Sequence, residues 1–206
     1  MRKNILGISV LSTLLVASVV YAAPMTNMKQ GNGKIDASFS LGPSFKAEEY
    51  GWTSDMDGKT RGRLGITYGL GDKFGIDYKY VGHAGDYLDS SLQSNQLNLI
   101  YQFNPNVEVF AGYVHNRLKI PEGNIENSQN GYQVGVLGRM DIAKRTSAWA
   151  SIGVGNKITA CEIGVGYDLT HNFDLNLFYN DTKYKGFDYG IDAMTHSVNL
   201  GITYHF

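Results

Sequence analysis

The pattern of apolar and polar positions has a period of two over most of the chain between Ile35 and Phe206. Successive side chains of a β-strand point to opposite faces, so this alternation predicts strands with one apolar and one polar face. The 3.6-residue period of an amphipathic helix does not compete with it in this region. The alternation predicts ten strands, over residues 35–41, 64–70, 74–80, 97–103, 107–113, 132–140, 148–154, 161–169, 173–179 and 198–206.

A short repeated pattern joins the predicted strands in pairs. A strand closes on Tyr-x-Leu or Tyr-x-Phe, about three polar residues follow, and the next strand opens on an apolar residue. The pattern occupies residues 68–74, 101–107 and 167–173, with a weaker copy over 140–146. The chain ends on Tyr204-His205-Phe206, the strand-closing half of the same pattern. Short connections of this kind predict hairpins, and therefore an antiparallel sheet.

The other connections are long and polar, over residues 42–60, 82–94, 118–130 and 181–195, with one two-residue turn at Asn156-Lys157. Short turns on one side and long loops on the other are typical of transmembrane β-barrels, with the short turns in the periplasm. Lipid offers no hydrogen bonds, so a sheet that spans a membrane must close on itself and turn its apolar face outward. The pattern therefore predicts an all-β, antiparallel, up-and-down transmembrane barrel. A soluble barrel with its apolar face inward is the alternative.

The first residues have the features of an export signal. Arg2 and Lys3 precede an apolar run from Ile5 to Val20, and small residues end it at Ala22. This pattern predicts a signal peptide over residues 1–22, cleaved after Ala22, with an uncleaved membrane helix as the alternative. A periplasmic N-terminal tail over residues 23–33 and the barrel over residues 34–206 follow.

Composition narrows the possible partners and chemistry. The formal net charge is −1, which does not favour a nucleic-acid partner. A single cysteine excludes a disulfide framework and a cysteine-based zinc cluster. With 43% hydrophobic and 12% aromatic residues, the chain is too apolar to be disordered.

The signal peptide, the hairpin repeat, the aromatic strand ends and the terminal Tyr204-His205-Phe206 together resemble the small outer-membrane β-barrels of Gram-negative-type bacteria. These are the opacity-protein and OmpA-transmembrane-like barrels, often grouped as the porin family. The resemblance implies an outer-membrane location, contact with membrane lipid and lipopolysaccharide, and assembly by the barrel assembly machinery, which would read Tyr204 and Phe206. Many small members have eight strands, so eight is the alternative to ten.

The polar faces of the strands would line the lumen. The charged residues predicted to line it are Lys34, Asp36, Arg61, Arg63, Asp77, Lys79, Glu108, Arg139, Glu162 and Asp174, with Asp168 in addition. Charges of both signs in a narrow barrel are expected to pair, because an unpaired buried charge is costly. Inward glycines reduce the filling, but a barrel of about eight strands is just filled by its side chains, so we expect a narrow or occluded lumen.

No catalytic set emerges from the sequence. His196 and Ser197 are adjacent and so point to opposite faces, and His83 with Asp86 and Asp89 lacks the motifs of a barrel protease. We therefore expect no enzyme, no metal and no cofactor. The predicted function is a structural barrel or a narrow small-solute pore. The alternatives are a surface adhesion or binding protein acting through its external loops, above all residues 42–60, and, less expected, an outer-membrane enzyme.

Overall fold

Antiparallel strands follow one another along the whole described chain. The computed structural model describes Met25 and residues 27–49, 52–60, 62–85, 90–121 and 125–206. The strands are β1 (Gly33–Glu49), β2 (Trp52–Lys59), β3 (Gly62–Gly71), β4 (Phe74–Gly85), β5 (Ser91–Asn104), β6 (Val107–Ile120), β7 (Ile125–Ala143), β8 (Thr146–Gly155), β9 (Ile158–Asp168), β10 (Phe173–Tyr184) and β11 (Asp192–His205). A turn of 3₁₀ helix, Asp188–Gly190, lies between β10 and β11. All ten predicted strands are present.

The sheet closes into a barrel because its first and last strands pair. β1 pairs antiparallel with β11 from Lys34 opposite His205 to Glu48 opposite Asp192. At the very end, the backbones of Gly33 and Phe206 exchange two hydrogen bonds of 2.9 Å. β2 and β3 lie end to end along the same side of β1, so the two together occupy one strand position. The eleven strands therefore form a ten-strand barrel. The prediction of ten strands is confirmed, and eight is wrong.

The repeated sequence pattern corresponds to repeated hairpins at one end of the barrel. The register shifts at the same point in three of them, between Gly69 and Gly71, Gln102 and Asn104, and Asp141 and Ala143. Each turn also accepts a backbone hydrogen bond from the strand beyond it. These bonds run from Gln102 to Lys73, Arg139 to Asn106, Asp168 to Arg145 and His205 to Asn172, at 2.8–2.9 Å. The repeat therefore encodes a ring of equivalent turns around one end of the barrel, the end that the sequence pattern predicts to face the periplasm.

The opposite, external end differs from the prediction of long loops. β1 and β2 form a hairpin through most of residues 42–60, and strands continue into the other three predicted loops. The turn at Asn156-Lys157 is confirmed, since β8 ends at Gly155 and β9 begins at Ile158. The strand ends were missed because they stand above the lipid, where nothing requires an apolar outward face.

The apolar face of the barrel points outward. Ile163 is 59% exposed and Leu64 is 58% exposed, whereas the neighbouring inward positions Glu162 and Arg63 are buried. A soluble barrel would have the reverse arrangement, so that alternative is wrong. The last nine residues alone carry the outward face from Val198 to Phe206, the length that a transmembrane strand needs. Among the described residues, no helix is long and apolar enough to cross a membrane.

Aromatic side chains mark both edges of this apolar band. Residues exposed at the end with the repeated turns are Tyr68, Phe74, Phe103, Tyr167, Phe173, Tyr204 and Phe206. Tyr113, Tyr132 and Tyr179 are exposed at the external edge. Two such girdles are what the two membrane interfaces favour.

Candidate functional site: the barrel interior

The buried side chains of the interior form three layers. An apolar cluster fills the external end, charged and amide side chains fill the middle, and a second apolar cluster fills the periplasmic end. The strands alternate strictly, so every second residue of each contributes to these layers. The inward positions of each strand therefore determine which side chains fill the interior.

Seven of the residues predicted to line the lumen are buried there, each at most 7% exposed. They are Lys34, Asp36, Arg63, Asp77, Lys79, Glu108 and Glu162. Arg139 and Asp174 lie near the periplasmic mouth and remain partly exposed, with side chains 16% and 13% accessible. Arg139 bonds Asp141 and Asp174 contacts His205, rather than the central charges. Arg61 lies outside the described residues.

Two lysine–aspartate pairs form one side of the middle layer. Lys34 Nζ lies 2.7 Å from Asp36 Oδ2, and Lys79 Nζ lies 3.3 Å from Asp77 Oδ2. The remaining carboxylate oxygens are also bonded, because Thr203 donates to Asp36 and Thr67 donates to Asp77. Burial makes an ion pair favourable only when such additional bonds are present.

Arg63 and Glu162 form the third central pair, at 3.5 Å. Trp149 Nε1 donates to the other oxygen of Glu162 at 3.3 Å, and the Arg63 guanidinium lies over the ring of Phe178 at 5.1 Å. The aromatic rings of Trp149 and Phe178 themselves meet at 6.3 Å. The ion pair and the two aromatic side chains therefore form one packed unit in the interior.

Amide and hydroxyl side chains connect the charged pairs to the rest of the wall. Gln133 donates to Gln96 and to Asn98, and Asn98 donates to Asp77. On the other side, Asn180 accepts from Ser197 and Asn199. Buried polar groups with partners of this kind hold the interior in one arrangement.

The inward glycines do not leave the interior empty. Phe110 lies against Gly135, its direct cross-strand partner, and Trp149 lies against Gly164 in the same way. A Cβ at Gly164 would stand 2.5 Å from Trp149 Cζ2 and 2.6 Å from Phe178 Cβ. At Gly135 and Gly164, a large side chain from the neighbouring strand therefore occupies the volume that the glycine leaves.

The sequence analysis missed the external apolar cluster. Its members come from β1, β5, β6, β9, β10, β11 and the segment between the last two strands, and they are Phe45, Leu92, Val114, Leu118, Ile158, Ala160, Tyr184, Phe187 and Ala193. The signal was present in the inward positions of β6, which change from Glu108 at one end to Val114 and Leu118 at the other. Val114 and Leu118 therefore add apolar side chains to the external end, and the polar Asn116 between them is buried as well.

His196 and Ser197 lie on opposite faces of their strand, and His83 is buried in the interior. His83 is buried beside Tyr184, with ring centroids 6.3 Å apart, and its Nε2 lies 3.4 Å from Thr195 Oγ1. Asp86 and Asp89 lie outside the described residues. His196 faces outward to Asp181 at 3.3 Å, whereas Ser197 faces inward to Asn180. In the described part of the chain, no three His, Cys, Asp or Glu side chains are grouped to hold a metal ion.

Tyr204 and Phe206 lie in the periplasmic aromatic girdle. Tyr204 contacts Phe173 at 4.9 Å between ring centroids and stacks on Phe206 at 6.2 Å. The Phe206 ring also covers Gly33, where a Cβ would stand 2.7 Å from its Cε2 atom. The two residues therefore complete the seam between β1 and β11, and their recognition during assembly remains a prediction.

The comparison with known protein families agrees with this architecture. The sequence profile described as outer membrane protein beta-barrel domain matches residues 12–206. The chain belongs to this family. An outer-membrane barrel is thus the identity supported by the sequence profile, by the closed sheet and by the outward apolar band. No curated protein sequence matches this barrel.

Solved structures share the barrel's fold at low sequence identity. The outer membrane protease OmpT from Escherichia coli has a TM-score of 0.52 and 14% identity, over 91% of this chain and 99% of that one. Neisserial surface protein A has a TM-score of 0.50 and 17% identity, over 86% of this chain and 100% of that one. At these identities the likeness extends to the fold alone.

Proposed function

We propose that this protein is a closed structural barrel of the outer membrane, without an open solute path and without catalytic activity. The observation that carries the proposal is the external apolar cluster, which fills the lumen end that faces the exterior. An ion or sugar crossing it would lose its hydration among side chains that, apart from the Tyr184 hydroxyl, offer no replacement hydrogen bonds. This favours the structural function over the small-solute pore.

The middle layer supports the same proposal. Each of its three buried cations pairs with a carboxylate, and the fourth buried carboxylate, Glu108, accepts a hydrogen bond from Gln102. The cavity beside Asp36, Arg63, Lys79 and Phe178 has a volume of about 20 Å³. That is room for about one water molecule. A hydrated solute does not fit in this cavity.

Solute uptake into proteoliposomes tests this proposal. Refolded protein should admit a small sugar no faster than empty vesicles do, while a general porin in parallel vesicles admits it readily. Uptake that rises with the amount of refolded protein would contradict the closed barrel.

A second function, contact with lipopolysaccharide at the external surface, is favoured by the outward cations above the external girdle. Arg117 and Lys119 face outward on β6 and are each about two-fifths exposed. Both bond Glu126 on β7, and the hydrogen bonds from Lys119 and Arg117 lower the pKa of that carboxyl. One carboxylate shared by two cations leaves a positive excess where lipopolysaccharide phosphates lie.

Lipopolysaccharide added to the barrel in detergent should raise the Tm of the wild type more than that of an Arg117→Gln, Lys119→Gln variant. Lys144→Gln is the matched control, because Lys144 is an exposed cation in a turn at the periplasmic end. Equal increases in Tm for the wild type, the double variant and Lys144→Gln would contradict this second function.

A further inference from the structure

Met25 and Met28, which precede β1, are buried inside the periplasmic mouth of the barrel. We propose that Met25 and residues 27–32 form a plug that closes this mouth and can leave it while the barrel stays folded. The proposal does not depend on the proposed function, because that function rests on the opposite end of the lumen.

Gln102 holds the backbone of the plug. Its side-chain oxygen accepts from the N–H of Met28 at 3.3 Å, and its amide donates to the carbonyl of Met25 at 3.0 Å. The same amide donates to Glu108 at 3.2 Å, which fixes the side chain on the wall. Gln102 is buried, so these bonds form away from solvent.

The two methionines fill the lumen just inside the mouth, next to a cavity of about 360 Å³ that is lined by Met25, Arg139 and Asp174. Met25 and Met28 are 4% and 2% exposed and join Ile100, Phe110 and Leu137 in one apolar cluster. Methionine is flexible and adapts to irregular gaps without a single fixed shape. Such side chains suit a segment that docks and undocks.

Two glycines on the wall make room for the plug. Gly69 and Gly75 face each other across β3 and β4. A Cβ at Gly75 would stand 2.7 Å from Met28 Sδ, and one at Gly69 would stand 2.8 Å from the carbonyl carbon of Met28. A Cβ at Gly69 would therefore displace the plug backbone, whereas one at Gly75 would displace the flexible Met28 side chain.

The plug is tied to the wall by few bonds. Gly71 donates to the carbonyl of Met28 at 3.2 Å, and Gly69 donates to that of Asn32 at 2.8 Å, where the chain turns into β1. No ladder of strand pairing holds Met25 or residues 27–32, in contrast to the paired β1 that follows. Segments with so few backbone bonds open at lower cost than the barrel itself.

Thiol accessibility in the full chain tests the plug. In a Cys161→Ser background, Met28→Cys should react with a membrane-impermeant thiol reagent about 100-fold more slowly than Lys29→Cys, its exposed neighbour. Unboiled gel migration verifies that each variant is folded. Equal rates at the two positions would overturn the proposal.

A pair of glycine variants on β3 tests whether the plug leaves a folded barrel. Gly69→Ala should raise the reactivity of Met28→Cys about tenfold or more, since its Cβ meets the plug backbone. Gly65→Ala is the matched control, because a Cβ there makes only ordinary contacts of 3.4 Å or longer. Leu137→Cys, which lies on the wall beneath the plug, gives a second readout that leaves both methionines intact.

Two outcomes would contradict the proposal. Unchanged protection of both thiols in Gly69→Ala would show that the plug does not lie against Gly69. Loss of the folded barrel together with the plug would show that the segment is part of the barrel and not a plug.

Discussion

The residue type at each position of this barrel depends on whether the side chain faces the interior or the lipid. Inward glycines pair with large side chains, as Gly164 does with Trp149, while outward positions carry apolar side chains into the lipid. A filled interior has little tolerance for added volume, and a lipid face has little tolerance for charge. Each face therefore makes its own prediction.

Gly164→Ala should destabilise the barrel by about 1–3 kcal/mol, because the new methyl group meets Trp149 and Phe178. Gly138→Ala is the control, since a Cβ there meets nothing within 4 Å. Equilibrium unfolding in urea measures both. Equal stabilities of the two variants would mean that the interior at Gly164 has spare room.

Ile163→Arg should cost about 2–4 kcal/mol, because it places a charge on the lipid face of β9. Thr159→Arg lies on the same face of the same strand, four residues nearer the exterior, and should cost about 0–1 kcal/mol. Refolding into vesicles at graded urea concentrations compares them. A larger loss of stability in Thr159→Arg than in Ile163→Arg would show that the position assigned here to the lipid band is wrong.

The strands themselves were predictable where lipid dictates their pattern. From Leu64 to Leu70 and from Phe173 to Tyr179, alternation located the strand and its two faces. It failed in β1 beyond Leu41, where the register shifts before Ser44 and the strand continues to Glu49 outside the lipid. Backbone pairing continues there without an apolar outward face, so the sequence reads as a polar loop.

The last strand carries a prediction about assembly. Deleting Phe206 removes one ring of the periplasmic girdle and two backbone hydrogen bonds to Gly33, leaving the rest of the β1–β11 seam intact. Stability in vitro should fall by only about 1–2 kcal/mol. If the family's assembly machinery reads this residue, the amount of folded barrel in the outer membrane should fall much further.

Membrane fractions and refolded samples of the full-length and shortened chains, compared side by side, decide this. Replacing Phe206 by Tyr keeps an aromatic ring and should restore membrane levels. Normal membrane levels after the deletion would remove the assembly role of Phe206.

At the scale of the whole molecule, the sheet closes on itself, because β1 pairs with β11 along most of its length. Closed sheets of this kind resist detergent until they are heated. Unboiled protein should therefore migrate differently from boiled protein on a detergent gel. Identical migration of the two samples would contradict the closed sheet.

The contents of the interior were only partly predictable. The charged pairs followed from alternation, since Lys34 and Asp36 lie two residues apart on one face. The external cluster was missed because most of its members, such as Leu92 and Leu118, lie in segments that the sequence predicted as loops. The plug was missed because Met28 lies in a segment without a period of two. Their burial follows from three-dimensional closure, which brings these segments over the ends of the lumen.

The central claim, a lumen closed by its own side chains, is tested most directly by single-channel recording of the refolded full-length chain in a planar bilayer. Insertion is verified by the heat-dependent migration of the same sample. The account predicts no stable conductance steps above those of protein-free bilayers, across both signs of voltage. Stable open steps that scale with protein would contradict it and would assign the barrel to the solute pores.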